Sequence, residues 1–262
     1  MCEEYNKLQQ MGVDSMNAEK GDLGDYDCPI CKNKGVIYFL NENGDVDTKE
    51  CECMKKRRTI QRTKNSGLAN MLNVYTFKNF THSTDWQYYI YDKATDFLID
   101  KTANTFFIGG AVGCGKSHIC TAIAGKLLAQ GKYVFFDVWS NIVTQLKQSV
   151  YEDKDGYNSQ LEFLKNIEVL YIDDFFKTTP TEADIDKAFK IIDYRKNMQI
   201  GDNGREKKLI TIISSEKKIS DLRAIDEAIA SRIYEMASRG EYAVEISNGR
   251  DRNQRMKSYR RI

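Results

Sequence analysis

Gly110-Ala111-Val112-Gly113-Cys114-Gly115-Lys116-Ser117 reads as G-x-x-x-x-G-K-S, the spacing of a phosphate-binding loop. Its flanks decide the fold. Immediately before Gly109, Thr105-Phe106-Phe107-Ile108 is a short apolar, β-prone run that predicts a buried strand. After the loop, Ile119, Ala122, Ile123, Lys126 and Leu127 begin a helical pattern. Strand, glycine loop and helix are what phosphate binding needs. Glycines let backbone N–H groups close around phosphate oxygens, and the helix points its positive end at them. Lys116 is expected to reach the β and γ phosphates of ATP, and the Ser117 hydroxyl to help hold Mg²⁺. Gly110 to Ser117, with His118 next in line, form the expected nucleotide-binding set, for ATP or ADP.

Working outward, apolar runs alternate with helical patterns. Tyr133 to Val138, Glu168 to Asp173, Leu209 to Ser215 and Tyr242 to Ile246 predict four more strands. Helices are expected over 88–99, from a Ser140 cap through Val150, over 161–167, 181–200 and in two pieces within 219–238. A polar loop is expected from Asp153 to Ser159. The alternation predicts an α/β fold with a five-stranded parallel sheet and nucleotide at the carboxyl ends of its strands. Val169-Leu170-Tyr171-Ile172 ends in Asp173-Asp174, where a P-loop enzyme needs carboxylates. Asp173 is expected to hold Mg²⁺ through its water shell and Asp174 to orient the attacking water.

The chain has 262 residues, enough for one ordinary domain and a small module. Its net charge of +1 makes no global case for nucleic acid, but the charge is uneven. Lys55, Lys56, Arg57, Arg58, Arg62 and Lys64 form one basic cluster; Arg250, Arg252, Arg255, Lys257, Arg260 and Arg261 form another. Met54 to Asn70 reads equally as a solvated helical linker or a nucleic-acid contact. No run is long and apolar enough to span a membrane, and Met1-Cys2-Glu3-Glu4 does not open a signal peptide, so a cytoplasmic protein is expected. Two histidines leave little room for histidine-based catalysis.

Residues 1–27 are polar, with weak helical spacing at Tyr5, Leu8 and Met11. Cys28-Pro29-Ile30-Cys31 and Cys51-Glu52-Cys53 then bracket a β-prone run, Val36 to Leu40, and an Asn43-Gly44 hairpin signal. A hairpin would return Cys51 and Cys53 to the level of Cys28 and Cys31, making four thiolates for one tetrahedral, structural Zn²⁺. The C-x-C half is the less usual spacing. In a module this small, metal binding would supply much of the folding free energy. Residues 1–66 are read as this module with its basic linker and 67–262 as the ATPase domain.

The phosphate loop, Val169 to Asp174, Thr211-Ile212-Ile213-Ser214-Ser215 and Ser231-Arg232 together resemble the AAA+ ATPases. Within them the chain is similar to the DnaC/DnaI-type replicative helicase loaders and to their relatives, the IstB transposition helper ATPases. Tyr75 to Phe80 resembles the segment before the core in these proteins. The cysteine module resembles the N-terminal zinc module of loaders, phage-encoded ones included, which tilts the resemblance toward a loader. It implies ATP hydrolysis, a replicative hexameric DNA helicase and single-stranded DNA as partners, and self-association through the ATPase domain. Thr211 to Ser215 would be the sensor-1 strand; Glu216 stands where family members carry an amide, and Ser215 is the substitute. Arg232 matches the arginine inserted into a neighbour's ATP site, and Arg252 a C-terminal arginine near the nucleotide. The Ser140–Val150 segment matches the one used along single-stranded DNA. No C-terminal helical lid is expected. Two other functions stay open: a transposition helper on duplex DNA, and a nucleotide-gated adaptor that scarcely hydrolyses ATP.

Overall fold

A computed structural model describes residues 2–24, 27–54, 57, 68–152, 154–198, 209–249 and 251–256. The chain divides into two compact units, Met1–Lys64 and Asn65–Ile262.

In the first unit a helix spans Cys2–Ala18, and strands β1 (Val36–Leu40) and β2 (Val46–Glu50) pair antiparallel with Leu40 opposite Val46. The helix exceeds what its weak spacing predicts, because its end is anchored by tertiary bonds. Asn17 Nδ2 donates to Tyr38 O at 2.9 Å, and Tyr38 N donates to Asn17 Oδ1 at 3.0 Å. A polar helix of this length is marginal alone, and docking along β1 stabilises it. The expected two-residue turn is a five-residue loop. Asn41 N donates to Asp45 O at 2.9 Å, and Asn41 Oδ1 accepts from the N–H groups of Asn43 and Asp45, both at 3.0 Å. Gly44 supplies the positive φ, 82°. Most of the basic stretch after Met54 lies outside the described residues.

The second unit is built on a five-stranded sheet of order β4-β5-β6-β3-β7, with every neighbouring pair parallel. The strands are β3 (Thr105–Gly110), β4 (Val134–Val138), β5 (Val169–Asp173), β6 (Ile210–Ser215) and β7 (Ala243–Ile246). β3, β5 and β6 are buried along their whole length, as expected of strands covered on both faces. Alternate residues feed two cores. Phe106, Ile108, Val169, Tyr171 and Ile212 pack with the helices Asp85–Ile99 and Lys116–Ala129. Phe107, Leu170, Ile172 and Ile213 pack with the helices Trp139–Glu152, Lys154–Asn166, Glu182–Asn197 and Glu227–Met236. A further helix spans Ile219–Ile225.

Two local expectations are corrected. The polar run expected as a loop is helical from Lys154, within Lys154–Asn166. Its packing is carried by Tyr157, Leu161 and Leu164, too sparse a pattern to read locally. The helix expected to be capped by Ser140 begins at Trp139, whose buried ring packs on Phe175 and Phe176. The Lys116–Ala129 helix is closed by Gly131, two residues beyond its end. Lys132 N donates to Leu127 O and Gly131 N to Leu128 O, with Gly131 at φ 83°, a Schellman motif.

Arg195 is fully buried within this unit. Its guanidinium donates to the carbonyls of Leu164 (3.2 Å), Lys165 (3.1 Å), Ile167 (2.9 Å) and Ile210 (2.6 Å), and to Thr211 Oγ1 (2.9 Å). Burial pulls it down to about 9, which leaves it cationic at neutral pH. The charge is met by the carbonyl end of the Lys154–Asn166 helix, where the backbone dipole favours a cation.

Candidate nucleotide site

β3 delivers Gly110 to the carboxyl edge of the sheet, and the loop folds back over it. Ala111 N donates to Ile246 O at 2.9 Å, which pins the loop to the end of β7. Gly113 and Gly115 sit at φ 72° and 96°, where other residues are strained. A Cβ on Gly113 would stand 2.3 Å from Asn253 Oδ1, and one on Gly115 2.9 Å from Phe80 Cε2. Two segments therefore press on the loop. One is the Tyr75–Phe80 stretch, where His118 stacks on Tyr75 and shares its Nε2 with Thr76 O at 2.9 Å. Burial holds His118 below the usual imidazole range. The other is 251–256, where Gln254 N donates to Gly113 O at 3.0 Å.

Lys116 is buried, and its ammonium rests on the loop's own carbonyls, Gly110 O at 2.9 Å and Ala111 O at 2.7 Å. Ser117 Oγ donates to Asp173 Oδ1 at 3.1 Å. Ser214 Oγ bonds the same oxygen. Burial raises Asp173 above the ordinary carboxylate range; the Asp174 charge adds to this, while the two hydroxyls oppose it. A hydroxyl and a carboxylate facing each other beside a phosphate loop are hard oxygen donors of the kind that suits Mg²⁺. Trp86 Nε1 and Arg252 Nε, buried near the loop, find no hydrogen-bond partner among the described residues. The Arg252 guanidinium lies 5.0 Å over the Trp86 ring and pairs with Asp251. The loop, the oxygen pair and these spare donors fit a nucleotide with its metal.

The other expected residues fall into distinct places. Asp174, at φ 52°, turns out of the sheet edge and pairs through Oδ2 with Lys177 Nζ at 2.9 Å. Lys177 also reaches Glu216 at 3.4 Å. Hydrogen bonding to Asp174 raises Lys177 above the usual lysine range. Ser215 is fully buried; its hydroxyl donates to Phe175 O at 2.7 Å and accepts from Lys217 N at 3.0 Å. Of the two serines it is Ser214 that reaches Asp173. Arg232 is held within its own chain: its Nε donates to Asp193 at 2.7 Å, an Nη to Ala228 O at 3.0 Å, and its plane lies 4.6 Å over Phe189. On the Trp139–Glu152 helix, Asn141 and Gln145 donate to the buried Asp137 carboxylate at 2.9 and 3.1 Å. Ser214, Lys177, Trp86 and Gln254 were not singled out from the sequence. A serine ending an apolar strand and a lysine three residues past the Asp-Asp pair were the available signals; Trp86 and Gln254 carried none.

In the other unit, Cys28, Cys31, Cys51 and Cys53 are buried and their sulfurs lie within 4.8 Å of one another. Cys28 and Cys51 approach to 3.8 Å, Cys31 and Cys53 to 3.4 Å. Tetrahedral zinc with Zn–S bonds of about 2.3 Å requires sulfurs about 3.8 Å apart, so the cluster can hold the ion. Around Cys31 burial pushes upward, but the Gly35 N–H (3.3 Å) and neighbouring thiols win and bring it down to about 6; burial leads in pushing Cys53 up to about 12. Asn33 braces the knuckle, accepting from Cys28 N at 2.8 Å and from Arg57 at 2.9 Å. Among the described residues no helix is long and apolar enough to cross a membrane.

The sequence matches the family model described as IstB-like ATP binding protein over residues 40–230. The protein YqaM of Bacillus subtilis is 23% identical over 302 residues, covering 95% of this chain and 92% of its own, so the likeness reaches both units. The phage-like element PBSX protein XkdC of Bacillus subtilis is 27% identical over 84% of this chain and 82% of its own. The replicative helicase loader DnaC of Escherichia coli is 27% identical over 62% and 67%. Among solved structures, the DnaC helicase loader superposes with a TM-score of 0.55 at 21% identity, covering 69% of this chain and 99% of that one. AMPPCP-bound DnaA from Aquifex aeolicus gives 0.53 at 18% identity over 66% of this chain, which spans 49% of DnaA. These likenesses establish an AAA+ fold of the DnaC kind. With the phosphate loop, the Ser117–Asp173 pair and the parallel sheet inside the matched span, the chain belongs to the IstB-like ATP-binding protein family.

Proposed function

We propose that the protein is an ATP-hydrolysing loader that places a replicative hexameric DNA helicase on single-stranded DNA. The observation that carries this is the kinship with the helicase loader DnaC over 62% of this chain. In this reading Lys116 leaves the loop carbonyls for the β and γ phosphates, and the loop N–H groups wrap the chain of phosphates. Ser117 would help hold Mg²⁺ and Asp173 would do so through its water shell, and the ion would supply neutralisation of the phosphate charge. Asp174 orients a water whose oxygen attacks the γ-phosphorus; the bond from that phosphorus to the β–γ bridging oxygen breaks, and ADP and phosphate leave. Residues 1–66 form the helicase-gripping, Zn²⁺-holding module, and 67–262 the ATPase domain. The exposed face of the Trp139–Glu152 helix follows single-stranded DNA.

Affinity capture with the tagged full chain should bring down a hexameric helicase, and single-stranded DNA should alter ATP turnover. Response to duplex DNA with no helicase bound favours the transposition helper instead. The adaptor reading draws on Glu216, an acceptor where a donor amide belongs; ATP binding without turnover under every condition would select it.

A further inference from the structure

We infer that Lys177 is a brake on this site: by pairing with Asp174 and Glu216 it keeps the water-orienting carboxylate engaged, and hydrolysis requires the ammonium to leave. The inference rests on the ATPase reading above.

The contact is built into the backbone. Lys177 N donates to Asp174 O at 3.1 Å, closing a turn of which Asp174 and Phe176 take positive φ, 52° and 50°. Phe175 N donates to Ser214 O at 2.8 Å, and Phe175 O accepts from Ser215 Oγ at 2.7 Å, so the turn is bonded to the tip of β6 from both sides. Phe175 and Phe176 are buried, stacked at 4.1 Å, and edge onto Trp139. A turn fixed this firmly sets the backbone of Lys177 within side-chain reach of Asp174. Glu216, one residue beyond β6, draws the same ammonium from the other side at 3.4 Å.

A carboxylate orients water with its free lone pairs. Oδ2 of Asp174 is engaged by the ammonium, and the ion pair holds the whole carboxylate in one rotamer. Yet the Lys177 side chain is 51% exposed, so the pair is weak enough to open when a stronger anion competes. A lysine that merely stiffened the turn would leave turnover unchanged when removed. One that stabilised charge on the transferred phosphoryl group would slow it. A brake alone predicts acceleration.

The experiment measures phosphate release from ATP with Mg²⁺ by the full chain. Lys177→Ala should raise kcat roughly two- to fivefold, the scale of a half-exposed ion pair, with KM nearly constant. Lys177→Arg should return the native rate. Lys177→Ala combined with Asp174→Asn should be as slow as Asp174→Asn alone, which shows that the gain passes through that carboxylate. If the native chain binds ATP without measurable turnover, Lys177→Ala should still turn it over. An equal or lower kcat in a Lys177→Ala protein that melts normally and binds ATP with native affinity overturns the brake. Failure of the native chain to bind ATP is a different result: it removes the nucleotide reading, and the brake with it.

Discussion

Ser117 Oγ and Asp173 Oδ1 meet at 3.1 Å, joining the first turn after the phosphate loop to the tip of β5. This sets the proposed metal ligands beside the phosphate loop, whereas Asp174 faces Lys177. The two aspartates should therefore separate in function. Lys116→Ala should abolish ATP binding. Asp174→Asn should keep native ATP affinity and slow hydrolysis at least tenfold, since it removes the water-orienting charge and leaves Asp173 in place. Calorimetric binding alongside turnover measures both; native turnover in Asp174→Asn would show that another group orients the water.

Metal analysis tests the cysteine cluster. The native chain should carry one zinc per chain. Cys51→Ser with Cys53→Ser should lose it, because two hydroxyls cannot replace two of four thiolates. The second unit has its own buried cores, so ATP binding should survive in that variant. Undiminished zinc would show that other ligands hold the ion.

Arg232 must exchange partners to act on a neighbour, since Asp193 and Phe189 hold it in its own chain. An arginine supplied in trans is worth roughly 10³–10⁵ in rate. Specific activity should rise with protein concentration. Arg232→Ala should remove that rise and leave nucleotide affinity nearly intact. Mixed with Lys116→Ala, it should recover activity, one chain supplying the pocket and the other the finger. A dead mixture of variants that still associate would confine Arg232 to its bond with Asp193.

Acid should expose one link between the Asp85–Ile99 helix and Tyr242. The Asp100 carboxylate accepts from Thr102 Oγ1 at 2.6 Å, from Thr102 N at 2.7 Å and from the Tyr242 hydroxyl at 2.9 Å. These bonds, the Thr102 hydroxyl first, hold Asp100 down at about 2. A depressed carboxylate stabilises the fold above its unfolded value, about 3.9, and that share is lost as the pH falls through the folded value. Asp100→Asn should thus be less stable than the native chain above about pH 4, and the two should converge near pH 2. A difference that is flat with pH in urea titrations would mean the carboxylate's charge contributes nothing.

The second unit was legible where residues speak locally. Apolar runs such as Val169 to Ile172, each ended by polar residues or glycine, could only be buried strands, and the loop after β3 set their direction. What stayed hidden depends on distant partners. The start of the Lys154–Asn166 helix carries one apolar packing residue, Tyr157, and is held by its neighbours. The Cys2–Ala18 helix is secured by Asn17 against a strand twenty-one residues away. In the site, Lys116, Ser117 and Asp173 followed from motif spacing. Ser214 rather than Ser215 reaching Asp173 follows from the register, in which Ile172 pairs with Ile213, and register is not written in a serine pair. Lys177 gained its meaning only when the turn folded it back over Asp174.

Arg195 has a bearing on how this molecule can transmit a signal. From the last turn of the Glu182–Asn197 helix, one guanidinium bonds the tail of the Lys154–Asn166 helix and the first residues of β6. Nothing short of breaking several charge-assisted bonds lets that strand slide. Arg195→Leu would strand four carbonyls and should cost about 3 kcal/mol or more. The strand bearing Ser214 and Ser215 therefore behaves as a fixed rail. Hydrogen exchange along β6 should therefore stay equally slow with and without added nucleotide.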